Sequence, residues 1–362
     1  MKKANLERLR FSGFHRSHIG AIRSCLDYYN ISCSAAWVYG MTGSAFLSII
    51  DEKCSAPNIG EPEEAMFQLA RHLGVEINGF HTFAEDRQSF SRLQAEAWDA
   101  ARSALDQGQP VFAKELDLGN ETSVVYGYDD EGYYTHSWHG GHGHEGYDEV
   151  IPWTQLGRNY CPCRACKERL RSGEWPSESV YIGNLDEGGF ISLHWAAPAA
   201  QSDDRTALKA ALQLAIDRNR PATFNWGGRK FYSGLLVFDK WIEAVRSNKI
   251  QGFYMGYYAD LFHEGRRYAH LFLQEASGRF GGDLGEQLSH TADHYRLIRE
   301  AFQKLNELFP WDQPRSPIED PDRRSEAVQL LTGIRSLEAE AYRKLEKLEA
   351  ALRAGSPSKL PT

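Results

Sequence analysis

Apolar residues recur with two different periods along this chain, and the switch between them limits what it can fold into. In the middle they fall in short β-branched or aromatic runs bounded by turn residues: Pro110-Val111-Phe112-Ala113, Ser123-Val124-Val125-Tyr126-Gly127-Tyr128 and Gly132-Tyr133-Tyr134-Thr135-His136. Asp129-Asp130-Glu131-Gly132 reads as the hairpin turn between the last two. Val180-Tyr181-Ile182 and Phe190-Ile191-Ser192-Leu193 add two candidate strands. From about Ser202 the period is helical and stays so, ending in a stripe of Val328, Leu331, Ile334, Leu337, Ala341, Leu345, Leu348 and Leu352 with charges opposite. Such a chain folds into a mixed part followed by a helical part.

The mixed part opens with helices. Ser17 to Tyr29 carries Ile19, Ala21, Ile22, Cys25 and Leu26 at helical spacing, with Ser17 placed as N-cap. Two more helices are expected around Pro62 to Leu73 and Ser89 to Gln107. Between the first and second of these lies a glycine-punctuated aromatic segment, Trp37 to Phe46, followed by an apolar strand through Ile50. Helices followed by a mostly antiparallel sheet make an α+β pattern. In the second part, Ser202 or Asp203 caps a helix with Leu208, Leu212 and Ala215 on one face, and others are expected near 235–245, 258–275 and 285–308. The expected division is 1–198 for the α+β part, 199–354 for an all-α part and 355–362 for a disordered tail.

A length of 362 residues exceeds what one hydrophobic core usually supports, so two cores are expected. The net charge of −8 argues against non-specific nucleic-acid binding, which needs a basic face to displace counterions. No stretch approaches the roughly 20 apolar residues of a membrane span, and the start lacks the apolar run of a secretion signal. A cytoplasmic protein is expected, whose six cysteines serve as thiols, metal ligands or catalytic groups rather than structural disulfides. The composition leaves the oligomeric state open.

Three stretches resemble the butirosin biosynthesis protein H family. His15-Arg16-Ser17-His18-Ile19-Gly20-Ala21-Ile22-Arg23-Ser24 is similar to the family's opening motif, where a His-Cys pair precedes a helix. Gly40-Met41-Thr42-Gly43-Ser44-Ala45-Phe46 resembles its following glycine-rich turn. Val124-Val125-Tyr126-Gly127-Tyr128-Asp129-Asp130 is similar to the valine-rich strand and Gly-Tyr-Asp of papain-like peptidase relatives. The C-terminal half looks like that of uncharacterised bacterial members through Tyr232-Ser233-Gly234-Leu235, Asp239-Lys240-Trp241-Ile242-Glu243 and Leu308-Phe309-Pro310. The resemblance implies a papain-like N-terminal domain. It also implies an acyltransferase, or an enzyme forming or cleaving amides, that acts on a small metabolite or carrier-bound acyl group in specialised metabolism. The implied partners are a small-molecule substrate and an acyl or peptidyl carrier protein.

The sequence departs from the family where its chemistry would sit. The nucleophile position falls on Ser17 instead of a cysteine, Glu121 stands where papain-like relatives have a histidine, and His136 stands near the orienting acid of the next strand. One reading exchanges acid and histidine between strands, so that Ser17, His136 and Glu121 form a serine triad, with the neighbouring His18, which His15 precedes, able to replace either partner. The other reading keeps the fold for binding without catalysis, Ser17 being only a helix cap. A serine hydroxyl depends on its base far more than a thiol does, so the placement of the base decides between them.

A third feature is Tyr160-Cys161-Pro162-Cys163-Arg164-Ala165-Cys166. Three closely spaced thiols suit a soft ion such as zinc, with a fourth ligand from the run His136-Ser137-Trp138-His139-Gly140-Gly141-His142-Gly143-His144. A structural zinc is the expectation, because three thiolates leave a metal poorly electrophilic. His290 and His294, four apart on a helix, share a face that can grip a metal or simply contact a neighbour. Phe253, Tyr254, Tyr257, Tyr258 and Phe262 read as core or as the lining of a pocket. Gly227-Gly228-Arg229-Lys230 lacks the spacing of a phosphate cradle.

Overall fold

The computed structural model describes residues 4–55, 62–117, 121–136, 150–158, 164, 168, 171–172 and 189–354. Its elements run in the order β1 (Ala4–Asn5), α1 (Ser17–Tyr28), α2 (Ala35–Met41), β2 (Ile49–Asp51), α3 (Pro62–Leu69), β3 (Val75–Phe83), α4 (Arg87–Asp106), β4 (Val111–Lys114), β5 (Thr122–Tyr128), β6 (Gly132–His136), β7 (Ile151–Pro152), β8 (Phe190–Pro198), α5 (Asp204–Asn219), β9 (Ala222–Trp226), β10 (Arg229–Ser233), α6 (Leu235–Arg246), α7 (Gly252–Arg279), α8 (Gly282–Leu308) and α9 (Pro321–Ala354). No helix among the described residues is long and apolar enough to cross a membrane. The chain is mixed α and β, with antiparallel sheets and a run of C-terminal helices.

Two compact units share these elements. One comprises 1–32 and 70–201, the other 33–69 and 202–362. The segment 33–69, which lies before residue 198 and so on the N-terminal side of a single cut, therefore clusters with the C-terminal helices.

The first unit is built on a sheet of order β3-β8-β4-β5-β6-β7, with β1 added to β5. Every pairing is antiparallel. Two of the expected middle runs close β5 and β6 into a hairpin whose turn is organised by Asp129, which accepts from Glu131 N at 2.8 Å and from Tyr134 Oη at 2.7 Å. Helix α4 starts on a capping box: Asp86 accepts from Ser89 N, and the Ser89 hydroxyl reaches back to the amide of Asp86. Its buried stripe of Phe90, Gln94, Ala97, Trp98, Ala101 and Leu105 lies at helical spacing. Trp98 meets Tyr128 and Tyr133 edge-on, at 5.7 and 4.8 Å between ring centres, so α4 covers the sheet face that carries those tyrosines.

The second unit contains α2, α3, α5 to α9 and the strands β2, β9 and β10. Its core is the interlocked Phe238, Trp241, Tyr258, Phe262 and Phe302, all fully buried. The expectation of an all-α part is corrected here by a three-stranded antiparallel sheet of order β2-β10-β9. Gly227 and Gly228, with φ of +56° and +71°, form the two-residue turn between β9 and β10. Positive φ at both positions gives the twist that a tight hairpin needs, and glycine adopts it without strain. The glycine-punctuated segment before β2 also differs from an irregular stretch. Ser34 caps α2 by accepting from Trp37 N at 2.9 Å, and Gly43 at φ +74° ends it.

Candidate functional site

The first turn of α1 carries three buried polar side chains, Arg16, Ser17 and His18. Arg16 occupies the N-cap position without a side-chain capping bond, while its carbonyl accepts from Ile19 N at 2.9 Å and Gly20 N at 3.1 Å. Ser17 is therefore the first helical residue and not the cap. Its hydroxyl turns outward and accepts a hydrogen bond from Thr122 N, at the start of β5, at 2.9 Å. The strand explains why that amide is available. Glu115 N bonds Glu121 O at 3.2 Å, so the Lys114–Thr122 pair is of the non-hydrogen-bonded kind and the Thr122 N–H points away from β4. On the other side, the last described residue of β6, His136, pairs with Val124. Ser17 supplies the acceptor that the described part of the ladder does not, so the buried N–H is satisfied.

The remaining candidates sit around this contact. Glu121 directly precedes Thr122 and is 9% exposed. His136 ends β6 and lies flat on Tyr126, with ring centres 4.2 Å apart and planes 14° apart. Alternation along β5, carried back through the Glu115–Glu121 bond, sends Glu121 to the side of Ser123 and Val125. His136, opposite Val124, lies on the other face with Tyr126. The fold thus brings Ser17 beside the Glu121–Thr122 peptide but parts Glu121 from His136 across the sheet. His18 is next to Ser17, with its ring buried. Among the described residues no histidine hydrogen-bonds the Ser17 hydroxyl.

A row of polar groups that the sequence reading missed runs across the same end of the sheet. Cross-strand register aligns His81 of β3, Ser192 of β8, Lys114 of β4 and Thr122 of β5. His81 Nδ1 and Ser192 Oγ are 3.2 Å apart, within hydrogen-bond distance. Beyond Lys114 the chain turns through Glu115, a non-glycine residue at φ +57°, to Asp117, whose carboxylate accepts from the Ser123 hydroxyl. Lys114, Glu115, Asp117, Thr122, Ser123 and Ser192 are all buried. Charges of both signs are thus gathered at one end of the sheet, in surroundings where each polar contact is worth more than in water. A sequence signal existed: Lys114 closes the apolar run Val111-Phe112-Ala113, and Ser192 interrupts Phe190-Ile191-Ser192-Leu193.

Cys25, fully buried on α1, is a free thiol whose pKa burial pushes up, so it stays protonated and a poor nucleophile. Cys161, Cys163 and Cys166, together with His139, His142 and His144, lie outside the described residues. Among the described residues no three His, Cys, Asp or Glu side chains converge as a metal site. His294 serves as a contact: its Nε2 lies 2.8 Å from Leu337 O and ties α8 to α9. In the aromatic series, Tyr258 and Phe262 are core, while Phe253, Tyr254 and Tyr257 are half-buried, with Phe253 and Tyr257 against Trp311.

No protein-family model matches the chain, and no curated protein is significantly similar to it.

Proposed function

We propose that the unit formed by 1–32 and 70–201 is a papain-like module that binds a small polar metabolite, or the acyl group such a metabolite carries, at the polar end of its sheet. In this reading Ser17 holds the helix to the strand and is not a nucleophile. The observation that carries it is the Ser17–Thr122 contact: the hydroxyl already accepts a strand amide at 2.9 Å, and among the described residues no histidine hydrogen-bonds it. The parting of Glu121 from His136 supports the same reading, since a serine without an aligned base gains little nucleophilicity. The buried charges of Lys114, Glu115 and Asp117 then serve as the recognition groups.

A second reading rests on the placement of Ser17 at the first position of the twelve-residue α1, where the positive end of the helix dipole favours a developing anion. There the protein is an acyltransferase or hydrolase of papain-like type that takes an acyl group from a small or carrier-bound donor onto Ser17, with His18 as base. One experiment separates the two. The purified chain is melted in the presence of amino acids, aminoglycosides and aminoacyl-pantetheine thioesters, and separately treated with serine-directed acylating probes mapped by mass spectrometry. Binding predicts a raised melting temperature with at least one compound, lost in Lys114→Met, and no adduct on Ser17. An adduct on Ser17 that disappears in Ser17→Ala would establish the second reading instead. No shift and no adduct would remove both.

The thiols Cys161, Cys163 and Cys166 carry a separate proposal, a structural zinc ion. Elemental analysis after anaerobic purification tests it: about one zinc per chain is expected, and none would end it.

A further inference from the structure

The three-stranded sheet of the second unit has two edges of opposite character. On one side β2 is buried along its whole length. On the other, Ala222, Thr223 and Asn225 of β9 are exposed. The hairpin register shows which groups this edge presents. Trp226 and Arg229 flank the two-residue turn, so Trp226–Arg229, Phe224–Phe231 and Ala222–Ser233 are the pairs bonded within the hairpin. The bond from Glu52 N to Lys230 O at 2.8 Å confirms the phase, because it shows Lys230 facing β2 and away from β9. The N–H and C=O groups of Thr223 and Asn225 therefore point out of the sheet. Among the described residues none of them has a hydrogen-bond partner.

Edges of this kind are normally blunted by lysine, proline, a bulge or a covering segment. The strand Ala222-Thr223-Phe224-Asn225-Trp226 has no charged residue, no proline and no bulge in its pairing. On its inner face Phe224 stacks on the fully buried Phe231 at 5.5 Å, and Trp226 meets the same ring edge-on at 6.3 Å. These two aromatics are partly buried and pack against the buried pair of Ile49 and Phe231.

We propose that β9 is a self-association edge, at which two copies of the chain pair their β9 strands antiparallel about a two-fold axis at Phe224. This register places Thr223 opposite Asn225 of the second copy, and Asn225 opposite its Thr223. Both are hydrogen-bonded pairs, so each outward N–H and C=O on both edges is satisfied. Phe224 then faces its own symmetry mate in the closer, non-hydrogen-bonded kind of pair. The cluster of Ile49, Phe224, Trp226 and Phe231 continues into its copy across a six-stranded sheet. Because the edge is uncharged, self-pairing brings no like charges together within the strands. An isologous contact of this kind closes on itself and stops at the dimer.

The test is the mass of the full chain in solution, followed by light scattering over about 1 to 100 μM, since a dimer responds to concentration. The wild-type chain is expected to approach twice the chain mass as concentration rises. Asn225→Pro removes an outward N–H that the hairpin does not use, and is expected to give a monomer with unchanged circular dichroism. Thr223→Lys/Asn225→Lys sets lysine against lysine at both pairs and is also expected to be monomeric. Thr223→Lys/Asn225→Glu sets lysine against glutamate and is expected to restore the dimer. A wild-type chain that stays monomeric throughout would overturn the proposal. So would a dimer that survives the double-lysine change, or one that the lysine–glutamate pair fails to recover.

Discussion

Arg266 Nε donates to Glu338 Oε1 at 2.5 Å, and both side chains are fully buried in the second unit. The rest of the guanidinium is spent on backbone and hydroxyl acceptors: Nη1 donates to Ala45 O at 2.8 Å and Leu47 O at 3.3 Å, and Nη2 to Ser48 Oγ at 2.6 Å. Tyr342 adds a bond to the same serine hydroxyl at 3.2 Å. One cation on α7 thus fastens the stretch leading into β2 to α7 and, through Glu338 and Tyr342, to α9. These contacts help explain how residues 33–69 come to belong with helices far along the chain.

Removing either half of this pair strands a charge in the core. Arg266→Met is expected to destabilise the protein by about 3–5 kcal/mol in urea denaturation, because an uncompensated buried charge costs more than the pair itself provides. Arg266→Met combined with Glu338→Leu should recover most of that loss. A single substitution costing less than about 1 kcal/mol would mean that the pair is not shielded from water.

The Ser17–Thr122 contact makes its own prediction, independent of any reaction. Ser17→Ala leaves the Thr122 N–H buried without an acceptor, at an expected cost of about 1–3 kcal/mol. Ser17→Cys keeps a weaker acceptor and should lose less. Hydrogen exchange is the sharper measurement, since the Thr122 amide should be slowed in the wild type and fast in Ser17→Ala. Equal protection in both proteins would show that this amide has another acceptor.

What the sequence revealed and what it hid divides by range of contact. Helices α4 and α9 carry their signal locally, in an apolar stripe, and both are readable, although the capping Asp86 starts α4 two residues before the expected Ser89. Strands β9 and β10 do not stand out in the sequence although Gly227-Gly228 is a strong hairpin turn, because a helical period on either side conceals a short alternating run. Their third strand, β2, is far away in sequence, with Phe231 paired to Asp51. The site behaves in the same way. Ser17 reads from the sequence as the N-cap, whereas it is the first helical residue, and its role depends on Thr122, 105 positions on. His81 and Ser192, separated by 111 positions, meet only through the register of β3 on β8. No local pattern encodes such a row.

Gly40 is a case where helix propensity gives the wrong sign. It lies within α2, where exchanging glycine for alanine ordinarily stabilises by about 0.5–1 kcal/mol. Here a methyl group would stand 2.0 Å from Cγ of Phe272 and 2.2 Å from its Cδ2, because the bare glycine lies against that ring. Gly40→Ala is therefore expected to destabilise by about 1–3 kcal/mol, the usual cost of overpacking. Adding Phe272→Leu should return part of it, since a smaller side chain can move aside. A neutral or stabilising Gly40→Ala would show that α2 and α7 can separate at no cost.

Asp203 links pH to the stability of α5. Its carboxylate accepts from Thr206 N at 2.9 Å and from the Thr206 hydroxyl at 2.7 Å, and these two bonds hold its pKa below the ordinary 3.8. Between the folded value and the unfolded one, the unfolded chain binds more protons, so stability rises with pH through that window. The contribution is complete above the unfolded pKa and is lost as pH falls through the folded one. Asp203→Ala should melt at a lower temperature than wild type at neutral pH, and the gap should shrink on acidification through this window. Asp203→Asn keeps an oxygen for the cap without a titrating charge, so its advantage over alanine should not change with pH. If the gap between wild type and alanine stays constant down to a pH well below 3.8, the capping bond does not depend on the ionised carboxylate.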